Sequence, residues 1–290
     1  MSVCANAFAK INLTLDLTGR RGDGYHLLRM VMQTVSLCDR LILEPLSAPE
    51  IRITCDRPEL DCSEENTVAR AAAAFFSAVG IHAGASFFIE KNIPSQAGLG
   101  GGSADAAAAL VLLNRAFGAD LRVDRLCEIG LSVGADVPFC LRGGTLLAEG
   151  IGEKLSELSP LPECGIVVCK PQTGSNTAEA YALLDQAGGK LSTFTDNLIP
   201  CLSQKSLPQI AVACGNVFES VILIPEVRQI KAEMLQNGAL GSCMTGSGSA
   251  VYGIFSDFRK AENCVSALSR RFQDVFLCRP VRSKDCFLGN

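Results

Sequence analysis

Apolar and polar positions alternate along this chain in two periods, and the changes of period predict the order of its elements. Residues 7–17 read as a strand, yet Lys10 and Asn12 sit among their apolar neighbours. A charged, glycine-rich turn follows over residues 19–24. Residues 30–43 are apolar and β-branched in patches, and residues 51–55 alternate with period two, as half-buried strands do. Asn66 stands where a cap would start a helix through residues 71–78. Residues 86–91 predict a strand that runs into a glycine-rich loop. Residues 106–113 are strong helix formers, apolar on every face, which predicts a buried helix. Ser103 is the expected N-cap of that helix, with Asp105 in its first turn. Asp124 is the expected cap of another helix, which carries Leu126, Ile129 and Val133 on one face and ends at Gly134.

Residues 150–162 become rich in Gly, Ser and Pro, which predicts a division of the chain near residue 155. Beyond it, residues 165–169 read as a buried strand. Residues 225–236 read as a helix with Pro in the first turn and Gly238 as its stop. Residues 250–255 predict a strand. Phe258, Ala261, Val265, Leu268 and Phe272 mark the apolar face of a last helix, and residues 276–281 a closing strand. Strands alternating with packed helices make each half α+β or α/β.

Composition narrows the function. The chain has 290 residues, 48% hydrophobic and 19% charged, which suits two well-packed domains. A net charge of −4 argues against a broad nucleic-acid face, so an anionic ligand must be held by local features. The 14 cysteines include no CxxC pair, and the histidines are His26 and His82, so zinc-ligand spacing is absent. Many thiols, no leader-like opening and no apolar run of membrane-spanning length lead to the expectation of a cytoplasmic protein with no membrane partner.

The chemistry concentrates in a few segments. Pro94-Ser95-Gln96-Ala97-Gly98-Leu99-Gly100-Gly101-Gly102-Ser103-Ala104-Asp105 packs four glycines into five positions ahead of the buried helix. Glycine admits positive φ and close approach of a ligand to the main chain, and the helix start aims free N–H groups at the bend. That pattern predicts a phosphate site. It is neither a Walker A loop nor a dinucleotide fingerprint. Lys10 and Asn12, two apart on a strand, share a face. A half-buried lysine there has either a chemical task or an edge from which its head reaches solvent. In Gly134-Ala135-Asp136-Val137-Pro138-Phe139, Asp136 is either a proton acceptor for a substrate hydroxyl or a turn Asp bonded to its own backbone. Met244-Thr245-Gly246-Ser247-Gly248-Ser249 is a second small-residue loop, either packed on the first one or an ordinary turn.

Taken together and in this order, residues 9–12, 94–104 and 244–249 resemble the three motifs of the GHMP small-molecule kinases. The resemblance covers nearly the whole chain. It implies a two-domain α+β architecture, with residues 1–155 as the N-terminal ATP-binding domain, residues 156–290 as the C-terminal domain, and a cleft for ATP and substrate between them. It implies ATP as co-substrate with Mg²⁺. Pro94, Gly98, Leu99, Gly100, Gly101, Gly102, Ser103 and Ala104 would then hold phosphates, and Asn66 and Lys91 the adenosine end. Ser103 would be a candidate Mg²⁺ ligand, and Lys10 and Asp136 the catalytic pair. Within the family, residues 19–26 and 134–139 resemble the members that act on a cytidyl-linked alcohol. That implies a substrate pocket of Asn12, Tyr25, His26, Thr177 and Tyr181, with Tyr25-His26 and Tyr181 on the cytosine. Two alternatives stand beside it: a family member acting on mevalonate, homoserine or a sugar, and a non-catalytic nucleotide-binding regulator.

Overall fold

A computed structural model describes residues 2–22, 24–188 and 191–286; Asp23 of the glycine-rich turn lies outside the described residues. The first half runs β1 (Val3–Arg20), β2 (His26–Leu46), β3 (Ile51–Cys55), α1 (Thr67–Val79), β4 (Gly84–Glu90), α2 (Gly101–Ala116), α3 (Val123–Leu131), α4 (Val137–Arg142), β5 (Thr145–Gly150) and β6 (Lys154–Glu157). The second half runs β7 (Gly165–Lys170), α5 (Thr177–Gln186), α6 (Phe194–Ser203), α7 (Leu207–Ala213), β8 (Gly215–Asn216), α8 (Pro225–Gln236), β9 (Gly241–Met244), β10 (Val251–Phe255), α9 (Phe258–Leu268) and β11 (Asp274–Cys278).

The long strands β1 and β2 pair antiparallel from Val3↔Leu43 to Arg20↔His26. The register slips between Phe8 and Lys10 and again between Asn12 and Thr14. Such irregularities re-aim side chains, and here they bracket Lys10 and Asn12. The far edge of β2 takes β4 along one part and β5 along another, and β3 lies parallel on β4. A second sheet has the order β11-β7-β10-β9, all antiparallel. The helix α2 is buried from Ala104 to Leu110. Its alanines have no bulk, so it nests closely against α1 and the first sheet. No helix among the described residues is long and apolar enough to cross a membrane.

Several expectations change. The division expected at residues 155 and 156 falls inside β6, whose Ser156 and Glu157 pair with β5. The second half also returns to the first sheet, because β8 adds to β1 at Thr14↔Gly215. Asn66 does cap α1, its Oδ1 accepting from the Val68 N–H at 2.9 Å, but the helix starts at Thr67. Ser103 is not a cap. Gly98 and Gly100 take φ of +74° and +70°, so Gly100 itself is the cap and α2 begins at Gly101. Asp105 therefore sits past the first turn and is buried. Asp124 lies inside the first turn of α3, where its carboxylate accepts from Arg142 at 2.6 Å, and that helix ends at Leu131, before Gly134. Phe272 lies beyond α9, and β11 stops at Cys278, leaving Pro280 in a single bridge to Val35. The short helices α5 to α7 were not legible from periodicity.

Candidate active site

The three small-residue segments meet. The Lys10 N–H donates to the Leu99 carbonyl at 2.9 Å, tying β1 to the glycine loop. The Asn12 N–H donates to Thr245 Oγ1 at 2.9 Å, and Asn12 Oδ1 accepts from the Gly246 N–H at 3.1 Å, tying β1 to the loop after β9. The Ala250 N–H donates to the Ala97 carbonyl at 3.1 Å, closing the ring. The approach of the two loops demands glycine. A Cβ on Gly98 would lie 2.2 Å from the Thr245 carbonyl oxygen. The loop beginning at Met244 is thus packed on the first loop.

Lys10 and Asn12 do share one face, and the Lys10 ammonium donates to Asn12 Oδ1 at 2.9 Å. The lysine stem lies across Gly100, where a Cβ would be 2.9 Å from Lys10 Cγ. Its Nζ stands 3.4 Å from Asp136 Oδ2, with the lysine side chain 7% and the aspartate 30% exposed. Asp136 is held at the start of α4, with Pro138 in the first turn of that helix. A carboxylate beside an ammonium and open on one side can accept a proton from a hydroxyl placed against it.

Two concavities share the glycine loop. A cavity of about 410 Å³ is lined by Lys10, Asn12, Ser103, Asp136, Thr177 and Tyr181, among others. A groove of about 250 Å³ runs along Pro94–Gly102, with Asn66, Thr67 and Lys91 on its walls. Gly98 and Gly100 line both. The first-turn N–H groups of α2 have no acceptor inside the helix, so this shared wall presents donors to which an anion could bind. Lys91 is on the groove but its ammonium is engaged by Asp39 and by Asp105, the latter at 2.7 Å. Leu99, on the groove, is buried and offers it backbone rather than side chain, while Ala104 is buried, lines neither concavity and donates its N–H to the Gly100 carbonyl at 2.9 Å. Among the described residues, no group of three or more His, Cys, Asp and Glu gathers as metal ligands. Ser103 lines the cavity.

The aromatic residues lie at the outer end. The His26 and Tyr181 rings stack at 4.6 Å with 20° between their planes. Tyr181 also meets Phe218 edge-on at 5.0 Å. Burial, and then the Asp136 charge, push the Tyr181 hydroxyl up to about 12. His26 Nε2 is 2.8 Å from Asp185 Oδ1, and this contact comes first in holding Asp185 below the usual carboxylate range. Tyr25 is 61% exposed beside the Arg21 guanidinium. The expected aromatic group is therefore gathered with His26 directly on Tyr181 and with Tyr25 outside that stack. Thr177 Oγ1 bonds to Ser247 Oγ at 2.9 Å, joining α5 to the loop after β9. Sequence reasoning did not single out Asp39 or Asp185, and it named Thr245 only as part of the second small-residue loop. Asp39 had a local signal, a carboxylate inside a largely apolar strand.

The family model described as GHMP kinases N terminal domain matches residues 66–144, and that described as GHMP kinases C terminal matches residues 199–274. A relative from Clostridium kluyveri named 4-diphosphocytidyl-2-C-methyl-D-erythritol kinase is 42% identical over 277 residues, 95% of this chain and 99% of the relative. One of the same name from Pelotomaculum thermopropionicum is 41% identical over 281 residues, 96% of this chain and 98% of that one. A crystal structure of 4-(cytidine 5'-diphospho)-2C-methyl-D-erythritol kinase superposes with a TM-score of 0.82 at 32% identity, covering 96% of this chain and 99% of the other. With sequence likeness running through both halves and the same fold beneath it, this chain belongs to the GHMP kinase family.

Proposed function

We propose that the protein transfers the γ-phosphoryl group of ATP to the 2-hydroxyl of 4-diphosphocytidyl-2-C-methyl-D-erythritol, a step of the non-mevalonate route to isoprenoid precursors. The observation that carries this reading is the shared wall: groove and cavity meet at Gly98 and Gly100, and the Lys10–Asp136 pair stands where they join. The names of full-length relatives supply the acceptor.

On this reading the triphosphate lies against Gly98–Ser103, with Ala104 behind it and Pro94, Asn66 and Lys91 toward the nucleoside. Phosphoryl transfer asks mainly for positioning and charge neutralisation. The acceptor oxygen forms its bond to γ-phosphorus as the bond to ADP breaks, and the hydroxyl proton passes to Asp136. Lys10 stands 3.4 Å from that carboxylate and offsets charge on the moving group. Asn12, bonded to both Lys10 and Gly246, fixes the direction of the ammonium. Mg²⁺ commonly binds phosphate oxygens and water with few protein ligands, which fits a site offering the Ser103 hydroxyl and no carboxylate cage, and there it would neutralise phosphate charge. Thr177, Tyr25, His26 and Tyr181 would meet the cytidyl end, a flat π face with a polar edge.

The test is coupled ADP release with Mg-ATP and four alcohols: the cytidyl compound, mevalonate, homoserine and galactose. Release only with the cytidyl compound supports the whole reading. Release with another alcohol keeps the kinase and discards the pocket. ATP binding with no release from any of the four favours a non-catalytic regulator.

A further inference from the structure

One buried side chain of the second half grips the loop after β9 from behind. Asn216 ends β8, is 3% exposed and lines neither concavity. Its backbone lies beside β1, opposite Leu15. Its Nδ2 donates to the Met244 carbonyl and to the Gly246 carbonyl, each at 2.8 Å. Its Oδ1 accepts from the Phe218 N–H at 3.0 Å. These three bonds fix which way the amide points, since a flip would set Oδ1 against two carbonyl oxygens.

What the nitrogen holds is one peptide. The Met244 and Gly246 carbonyls flank the Thr245–Gly246 peptide, whose N–H donates to Asn12 Oδ1 at 3.1 Å. The same oxygen accepts from the Lys10 ammonium at 2.9 Å, and that ammonium stands 3.4 Å from Asp136. The direction of the Gly246 N–H therefore governs which side of Asn12 Oδ1 is left for Lys10. Gly246 has a φ of +58° and no side chain with which to fix itself. Glu219 adds a second hold on the loop: its Oε1 accepts from the Met244 N–H at 2.7 Å, and Lys231 meets its charge at 2.7 Å.

The oxygen side of the same amide reaches the aromatic end of the cavity. It caps the short helical turn Val217–Ser220, and so places Phe218, which lines the cavity and meets the Tyr181 ring edge-on. We propose that Asn216 is a positioning residue: its Nδ2 aims the Gly246 N–H at Asn12, and through Asn12 the Lys10 ammonium, while its Oδ1 seats Phe218 against Tyr181.

Loss of this amide leaves the Met244 and Gly246 carbonyls and the Phe218 N–H without their partner. The Gly246 peptide is then free to turn, and Asn12 and the ammonium move with it. A misplacement of about 1 Å costs about 10²-fold in rate where the chemistry depends on alignment. The glycine loop that faces the triphosphate is tied to Lys10 and Leu99 through the backbone, so ATP binding does not depend on Asn216 in the same way.

This inference rests on the cavity being the phosphoryl-transfer site, and its test separates the two. Kinetics with Mg-ATP and the cytidyl compound, ATP calorimetry and amide hydrogen exchange by NMR are run on wild type, Asn216→Ala, Asn12→Ala, the double variant and Asn114→Ala. Asn114, near the far end of α2, is the control, an amide that bonds both ways to the Leu121 backbone and lines neither concavity. Asn216→Ala is expected to lower kcat by about 10²-fold, with the ATP dissociation constant within about threefold of wild type. KM for the cytidyl compound should rise about threefold as Phe218 loosens against Tyr181. Adding Asn216→Ala to Asn12→Ala should lower kcat by less than about threefold more, because the path through Asn12 is already cut. Asn114→Ala should melt earlier than wild type and keep its kcat. Exchange of the Gly246 N–H should quicken about tenfold in Asn216→Ala and stay at the wild-type rate in Asn114→Ala.

Should Asn216→Ala fail to fold, wild type decides by itself. The Asn216 side-chain NH₂ and the Gly246 N–H open in one event if the clamp holds both, so their protection factors should match. Unequal protection, an unchanged kcat in Asn216→Ala, a fully multiplicative loss in the double variant, or an equal loss of kcat in Asn114→Ala would overturn the proposal. A wild type that releases no ADP, with Gly246 exchange quickened in Asn216→Ala alone, would count against the kinase reading and leave the hold on Gly246 as described.

Discussion

The inner and outer ends of the cavity are built differently. At the inner end, Lys10, Asn12 and the two loops are joined by backbone hydrogen bonds and close glycine contacts, and Lys10 pairs with Asp136. At the outer end, His26, Tyr181 and Tyr25 sit on a single stack, an Asp185 contact and an exposed ring. The first arrangement holds atoms in place for a reaction, where small misplacements cost rate. The second suits recognition, where side chains can rearrange around a flat ligand.

Substitutions at each end test that division. Asp136→Asn is expected to lower kcat by about 10²- to 10⁴-fold, with the ATP dissociation constant nearly unchanged. Near-normal turnover in that variant would remove Asp136 from the chemistry. Gly98→Ala comes next. It places a Cβ against the Thr245 carbonyl at a φ of +74°, so stability should drop by about 2 kcal/mol or more, with a raised KM for ATP. A thermal midpoint equal to wild type would show that the loops are not locked. Tyr181→Ala should raise KM for the cytidyl substrate about tenfold while leaving KM for ATP alone, as loss of one stacking face does. If its kcat falls as steeply as that of Asp136→Asn, the two ends are not separable.

Smaller changes sharpen the outer end. Tyr25→Ala should raise KM for the cytidyl substrate about fivefold, since a ring this exposed has less packing to lose. Equal weakening of ATP would deny it a role in recognition. Asp185→Asn should shift KM less than about twofold at neutral pH, because the Asp185 side of the pair is solvent-exposed. What Asp185 contributes through its lowered pKa is present above the ordinary carboxylate range and lost as pH falls below it. A large effect at pH 8 would mean that Asp185 holds the His26–Tyr181 stack in place.

The local backbone was well represented in the sequence. The glycine loop, the buried alanine helix and the shared face of Lys10 and Asn12 all follow from φ preference and period, which act over a few residues. Helix starts were less legible. Ser103 and Asp124 look like caps, but Gly100 and Arg122 hold those positions, because loop geometry outweighs side-chain preference there. The aromatic residues were named through the family resemblance as a set and not as an arrangement: nothing local says that His26 stacks on Tyr181.

By itself, then, the sequence determined a glycine-rich loop feeding a buried helix, a polar pair inside an apolar strand, and the family to which these belong. Only the tertiary structure decided that Asp136 stands beside Lys10, that Gly98 meets Thr245, and that Lys91 is taken up by Asp39 and Asp105. The reason is one of range. Period and φ preference act between near neighbours, whereas these partners are brought together by which apolar faces bury against each other, and that is a property of the whole chain.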